Sequence, residues 1–383
     1  MNADSPGAPA GASRATPGAP GDADRAPLRR LGDLMAGTGV DGVVLGDSRN
    51  LAWLLGVRTH VSTTAPPCLL AVVSGEPADP SLTVWTTVNE AARLADVEFT
   101  DPGCRVTPVI RTVGWQQDLW AEIPAGAGMG ADLPRPGFRD LGEHIALLRR
   151  RLDARQRQQL SALTDAVTAV VESIARGLRP GVSESHVAGL VARELVSGGI
   201  DPIVLLVGSG DDLVRHRHPL PRPVPVHGRC MISVGARRRG LFTSVTRYVT
   251  FDRPARTGND SYRRLLDVEA AFLDASLPGV SLSQALRTGA AAYRRNGFPD
   301  DTWLQHHQGG LGGFAAREVI AGRDPDLVLR PGMVLAWNPS ADGWKIEDLH
   351  LVGDDGRLSP AAGATEWPTL RVGDRPRPGV LAL

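Results

Sequence analysis

The chain has 383 residues, which at about 150 residues per domain points to two or three domains. Its 42 Lys and Arg residues balance its 42 Asp and Glu residues, so the basic surplus of a nucleic-acid reader is missing. Cys68, Cys104 and Cys230 are odd in number and far apart, which excludes a disulfide framework or cysteine zinc site and fits a reducing cytosol. No apolar run approaches the ~18 residues of a membrane span. The start Met1-Asn2-Ala3-Asp4 is neither basic nor apolar, so no signal peptide is expected. A cytoplasmic globular protein with no membrane partner is the expectation.

Residues 1–26 are mostly Ala, Gly, Pro, Ser and Asp. Such a mixture cannot offset backbone ordering at ~1–2 kcal/mol per residue, so a disordered tail is predicted. Leu28, Leu31, Leu34 and Met35 mark an amphipathic helix leading to a strand at Gly42–Leu45. The segment Asn50–Gly56 follows, then strands at Cys68–Val73 and Leu82–Trp85 and a helix at Asn89–Ala95. This alternation predicts a smaller α/β domain over 28–135, with the Pro/Gly-rich Ile123–Gly137 as linker.

A second domain is expected over 150–375. It opens with a long helix from Asp153 to about Leu178, stopped by Arg179-Pro180-Gly181. Ser183 then opens a helix through Leu195. Strands are predicted at Ile203–Val207, Cys230–Val234 and Leu241–Phe251, and helices at Ser261–Ala275 and Leu282–Asn296. A β-rich tail holds His306–Glu318, Met333–Asn338, Trp344–Asp348 and Leu349–Val352. Helix pair, strands, helix pair, strands: the class is α+β, with a hint of internal duplication. Nearly all the basic residues are arginine, and Lys345 is the one lysine.

Five blocks then carry a family resemblance. Arg179–Glu184 reads as "pG-x-(S/T)-E", and Ser233-Val234-Gly235 with Gly240–Arg247 as "D-x-G … GY-x-x-D-x-TR". Gly309–Glu318 reads as "GH-x-x-G-x-x-x-HE". Leu329–Leu335 with Asn338-Pro339 fits "L-x-PGMV-x-x-x-EP", and Lys345–Val352 fits "RIED-x-x-x-V". In this order the blocks resemble the creatinase/aminopeptidase P/methionine aminopeptidase family. The resemblance implies a pita-bread C-terminal domain, a creatinase-type α/β N-terminal domain and a homodimer.

Active peptidases of that family hold two divalent ions with two Asp, one His and two Glu. Carried over by position, the Asp sites fall on Ser233 and Ser244, the His site on Gly310 and the first Glu site on Asn338. Only Glu347 remains. The eleven-residue step from Ser233 to Ser244 equals the family's spacing. Neutral side chains cannot offset the lost hydration of paired cations. Loss of a supporting partner alone costs about 10–100-fold in affinity, so four lost ligands at tenfold each cost roughly 10⁴. No metal and no cofactor is therefore expected. His218, His306 and Glu347 form a weaker alternative donor set for a single ion.

Five of the nine histidines (216, 218, 227, 306 and 307) fall in stretches expected to frame the pocket. The resemblance places a substrate-contacting histidine at His216 or His218, with His218 preferred because it precedes Pro219. Creatinase, a metal-free member, moves protons with a histidine and orients its substrate with two glutamates. By that resemblance His218 is the acid/base and Glu318 and Glu347 are the orienting carboxylates. His216, His306, His307, Arg317 and Asn338 are the expected substrate-binding residues. Arginine captures a carboxylate bidentately, so a small anionic or zwitterionic substrate is predicted. Ser233 and Ser244 have no base adjacent in sequence and read as space left by the ions. Thr246-Arg247 reads as scaffold. The run Gly309–Gly313 lacks the Lys-Ser/Thr of a phosphate loop and reads as close backbone approach. Three functions are carried forward: metal-independent cleavage of a C–N or amide-like bond in an amino-acid-derived metabolite, a catalytically silent binding protein, and a residual Xaa-Pro metallopeptidase.

Overall fold

Leu28, Leu31 and Met35 form the buried face of α1 (Ala26–Thr38), which ends on Gly39 at φ 68. The computed structural model describes residues 25–126, 128–251, 256–324 and 327–383. The tail expected over 1–26 lies outside the described residues, apart from Arg25 and Ala26. Then come β1 (Gly42–Leu45), α2 (Ser48–Leu55), β2 (Leu69–Ser74), β3 (Ser81–Thr87), α3 (Val88–Arg93), β4 (Val109–Val113), β5 (Met129–Ala131) and β6 (Arg139–Asp140). They form a six-stranded sheet in the order β4-β3-β2-β1-β5-β6. The stretch read as a linker is thus part of the sheet: Met129, Gly130 and Ala131 pair in parallel with Gly42, Val43 and Val44. Three residues are too few for a period-two signal.

After α4 (Gly142–Arg149), the long helix α5 spans Ala154–Gly177. Its start is a capping box, in which Asp153 accepts from the Gln156 backbone and Gln156 accepts from the Asp153 backbone. The helix α6 (Glu184–Ser197) is capped by Ser183. Both precede β7 (Asp201–Ser209), the short α7 (Asp212–Arg215), β8 (Arg229–Arg238) and β9 (Leu241–Thr250). The second helix pair is α8 (Arg256–Ala275) and α9 (Leu282–Arg295). It is followed by β10 (Gly309–Gly312), β11 (Val319–Ile320), β12 (Val334–Trp337), β13 (Ser340–Ala341), β14 (Trp344–Lys345) and β15 (His350–Val352). The chain closes with β16 (Leu358–Pro360), β17 (Thr369–Val372), β18 (Arg375–Pro378) and β19 (Val380–Ala382).

Two larger sheets result, ordered β19-β9-β8-β7 and β11-β10-β12-β15-β16. Each half places a helix pair before a mostly antiparallel sheet, the expected α+β pattern. A bridge between Val245 and Asp348 links the two sheets, β19 from the end of the chain pairs with β9, and the site lies beside the bridge. Strand β10 is built from glycine because backbone presses on it from both sides. A Cβ on Gly309 would meet the Ala336 carbonyl oxygen at 2.1 Å, and one on Gly310 the Val319 carbonyl oxygen at 2.1 Å. The glycine run therefore serves close backbone packing. Among the described residues no helix is long and apolar enough to cross a membrane.

Candidate functional site

The β13–β14 hairpin turns through Asp342 and Gly343, both at positive φ (51 and 74). This is the two-residue geometry for which Asp-Gly is well suited. The turn carries Lys345 inward, where the Tyr248 hydroxyl accepts its backbone N–H at 2.7 Å. The Lys345 ammonium lies 2.5 Å from Glu347 Oε2 and donates to Ser233 Oγ at 3.1 Å. Arg317 Nη2 donates to the other oxygen of Glu347 at 2.6 Å. Two cations thus hold one carboxylate. Burial pushes the Glu347 carboxyl up, but the charges of Lys345 and Arg317 outweigh it and hold it well below the ordinary carboxylate range.

These groups line a cavity of about 160 Å³ together with His218, His307, Asn338, Ser233, Ser244 and Phe242. Pro219 packs against Gly208, where a Cβ would sit 2.5 Å from the proline ring, and this fixes the turn that presents His218. On the facing side, Gln308 donates to the backbone oxygens of Trp303 and His306 at 2.8 Å and accepts from the Tyr293 hydroxyl at 2.8 Å. The same hydroxyl accepts the Ser340 N–H at 3.0 Å. Tyr293 therefore pins both the histidine loop and the hairpin that carries Lys345.

His218 Nε2 and His306 Nε2 lie 3.2 Å apart, within hydrogen-bonding distance, and the His307 ring stacks on His306 at 4.1 Å. Burial, followed by the charges of Lys345 and Arg217, lowers the His218 pKa. Burial, with neighbouring His307 and His218, pushes His306 down to about 3. Burial and then the charge of Arg317 push His307 down to about 4. All three rings are neutral at pH 7. A protonated His218 donating to His306 requires the proton of His306 to sit on Nδ1, which is buried without a partner among the described residues. That burial disfavours the protonated pair, in the same direction as the lowered pKa of both rings.

The structure separates several residues that the sequence reading grouped. His216 points away from this cavity, 3.6 Å from Asp212, and lines a neighbouring chamber of about 390 Å³. Glu318 does not line the cavity, which corrects its expected role as an orienting carboxylate. Its two oxygens accept from Arg149 at 2.9 and 2.6 Å, and Oε1 also accepts the Phe314 N–H at 3.1 Å. Both side chains of this ion pair are buried. Asn338 and Arg317 do line the cavity. The sequence reading gave Lys345 no site role; its rarity was the one available signal.

The donor set does not fit a pair of divalent cations. Ser233, Ser244 and Asn338 are neutral, and backbone at Val319 leaves no space for a side chain at position 310. Glu347 is neutralised from within by the protein's own cations. The alternative set His218, His306 and Glu347 is also not assembled: among the described residues no three His, Cys, Asp or Glu side chains are placed to hold an ion.

The sequence model of metallopeptidase family M24 matches residues 158–354, over half of the chain. No curated protein sequence matches the chain. Among solved structures, the prolidase from Pyrococcus horikoshii OT3 matches with a TM-score of 0.70 at 15% identity, covering 88% of this chain and 97% of that one. Dipeptidase PepE from Mycobacterium ulcerans matches with a TM-score of 0.70 at 19% identity, covering 95% and 100%. The N-terminal domain of the FACT complex subunit SPT16 from Cicer arietinum (chickpea) matches with a TM-score of 0.61 at 13% identity, covering 89% and 96%. At such identities the likeness is one of fold.

Proposed function

The chain belongs to metallopeptidase family M24 and has its pita-bread fold, and on that premise we propose that it is a metal-independent member cleaving a C–N or amide-like bond. Its substrate on this reading is a small anionic or zwitterionic amino-acid-derived metabolite, with His218 as the proton-transfer residue. One observation carries the reading: the Lys345 ammonium fills the space between Ser233 and Glu347, two positions that hold metal ligands in the family's motif. An internal ammonium there repels a divalent ion and removes Glu347 from the available donors.

Each residue then has a separable task. Neutral His218 takes a proton from the attacking water, shares it with His306 across their 3.2 Å contact and returns it to the departing nitrogen as the C–N bond breaks. Arg317 and Lys345 leave one positive charge in excess over Glu347 and draw the anionic end of the substrate. Glu347 stays ionised and orients both cations. Glu318, held by Arg149, shapes the turn at Phe314 and touches no substrate. The expected assembly is the family's homodimer in the cytoplasm.

A silent binding protein is the second reading. It is favoured by the engagement of both glutamates with arginine or lysine, which leaves no free carboxylate to activate water. The fold is also carried by a protein named as a FACT complex subunit rather than a peptidase.

The test is elemental analysis of purified protein, combined with turnover of dipeptides and N-acyl amino acids before and after chelation. Metal well below one equivalent, turnover indifferent to chelator, and a loss of about 10²–10⁴ in kcat for His218→Asn are expected. Two equivalents of metal with chelator-sensitive turnover would restore an Xaa-Pro-type peptidase. Ligand binding with no turnover would make the protein a binder.

A further inference from the structure

Three hydrogen-bonding groups on residues that line the His218 cavity have no partner among the described residues. Lys345 spends two of its three N–H groups on Glu347 and Ser233. Arg317 spends its terminal nitrogens on Glu347 and the Ala316 carbonyl, and its Nε is buried with no acceptor. Asn338 is 3% exposed, and its Oδ1 is buried with no donor. Such orphaned groups carry a desolvation cost that a matching ligand relieves. Two donors beside one acceptor are the complement of a carboxylate next to an N–H.

We infer that Lys345, Arg317 and Asn338 form the seat for an N-acylated α-amino acid, its carboxylate on Lys345 and Arg317 and its amide N–H on Asn338. This rests on the metal-independent reading, since a bound ion would displace the lysine. Charge separates the acylated ligand from the free amino acid. Lys345 and Arg317 against Glu347 leave one unbalanced positive charge, which an N-acyl amino acid neutralises and a zwitterion does not. Volume agrees. The cavity of about 160 Å³ is less than half the size of the neighbouring chamber of about 390 Å³ and suits the small carboxylate end of the ligand. Lys345 also lines the 390 Å³ chamber with Arg217, Gln305, Tyr248 and Trp344. On this seat the acyl portion is directed past Lys345 toward that chamber, with the amide N–H at Asn338 in the same cavity as His218.

The single lysine gives a direct readout. With ¹⁵N-lysine incorporated, the full-length protein has one side-chain Nζ signal, and calorimetry supplies affinities for three probes: N-acetylglycine, N-acetylglycinamide and glycine. N-acetylglycine is expected to move the Nζ resonance and to bind roughly 10–100-fold more tightly than the uncharged amide, the scale of one charge-assisted hydrogen bond. Glycine is expected to bind more weakly than N-acetylglycine. Lys345→Met should abolish the acid-over-amide preference, and Lys345→Arg should keep it. The proposal is overturned by equal affinity for acid and amide, by tighter binding of glycine, by no binding of N-acetylglycine, or by an Nζ resonance unmoved at saturation. All four outcomes are read on the wild-type protein, so a poorly folding variant does not blunt the test. Metal content and turnover judge the preceding reading, whereas the acid-over-amide contrast judges this seat alone.

Discussion

His350 shows how burial alone dictates a charge state. Its ring is 2% exposed on β15, its Nδ1 has no partner among the described residues, and burial together with the charge of Arg377 pushes its pKa well below the ordinary value. The folded protein keeps it neutral, whereas the unfolded chain protonates it near pH 6.5. Below that pH the unfolded state binds the extra proton, so stability falls as pH falls, by about 1.4 kcal/mol per pH unit for this one group. His306 and His307 act in the same direction. Urea unfolding at pH 7.5 and 5.5 should therefore show an acid-side loss that His350→Phe reduces by about 1.4 kcal/mol. An unchanged pH slope in that variant would mean the ring is protonated in the fold. At this scale the sequence was legible for identity and not for partnership. His218, Arg317, Glu347 and Asn338 could be placed in one cavity from motif order. Nothing local says that Glu318 reaches Arg149, 169 residues away, or that Lys345 reaches Ser233.

Elements are held in place by a ladder of alternating charge. Glu172 on α5 accepts from Arg247 on β9, and Arg247 also donates to Asp348, each at 2.9 Å. Arg377 on β18 donates to the other oxygen of Asp348 at 3.2 Å and to both oxygens of Glu269 on α8 at 2.7 and 2.5 Å. Each half of the double sheet contributes one helix glutamate and one arginine, and Asp348 is shared at the bridge to Val245. All but Asp348 are buried, and its side chain is only 14% exposed. Asp348→Ala leaves two buried arginines with one carboxylate each and should cost about 3–5 kcal/mol in chemical denaturation. A loss below about 1 kcal/mol would mean that the two glutamates suffice. The long helices around this ladder were readable because periodicity and caps agree: Asp153, Ser183 and Ser281 each accept a backbone N–H three residues on. Strand β5 was not, because its pairing with β1 spans more than 80 residues and its flanks are rich in glycine and proline.

The N-terminal sheet is joined to the larger sheets by an apolar cluster and a polar chain. A single cluster runs from Leu28, Trp53 and Val84 near the N-terminal sheet to Leu163, Val234 and Val334 around the larger sheets. Alongside it, Asp132 accepts from Asn50 at 2.8 Å, Asn50 accepts from Arg149, and Arg149 grips Glu318. The N-terminal sheet thereby reaches the loop after β10, whose Ala316 and Arg317 line the site. That reach was invisible to motif order because the blocks begin only at Arg179, whereas Arg149 lies before them. Removing the guanidinium alone should be worse than removing the pair. Arg149→Met strands the Glu318 carboxylate in the interior and should cost about 3–5 kcal/mol. Arg149→Met with Glu318→Leu buries no charge and should recover part of that loss. Thermal and urea unfolding of both variants decide the matter. A double variant no more stable than Arg149→Met would mean that the arginine acts through Asn50 and packing, with the ion pair to Glu318 a passenger.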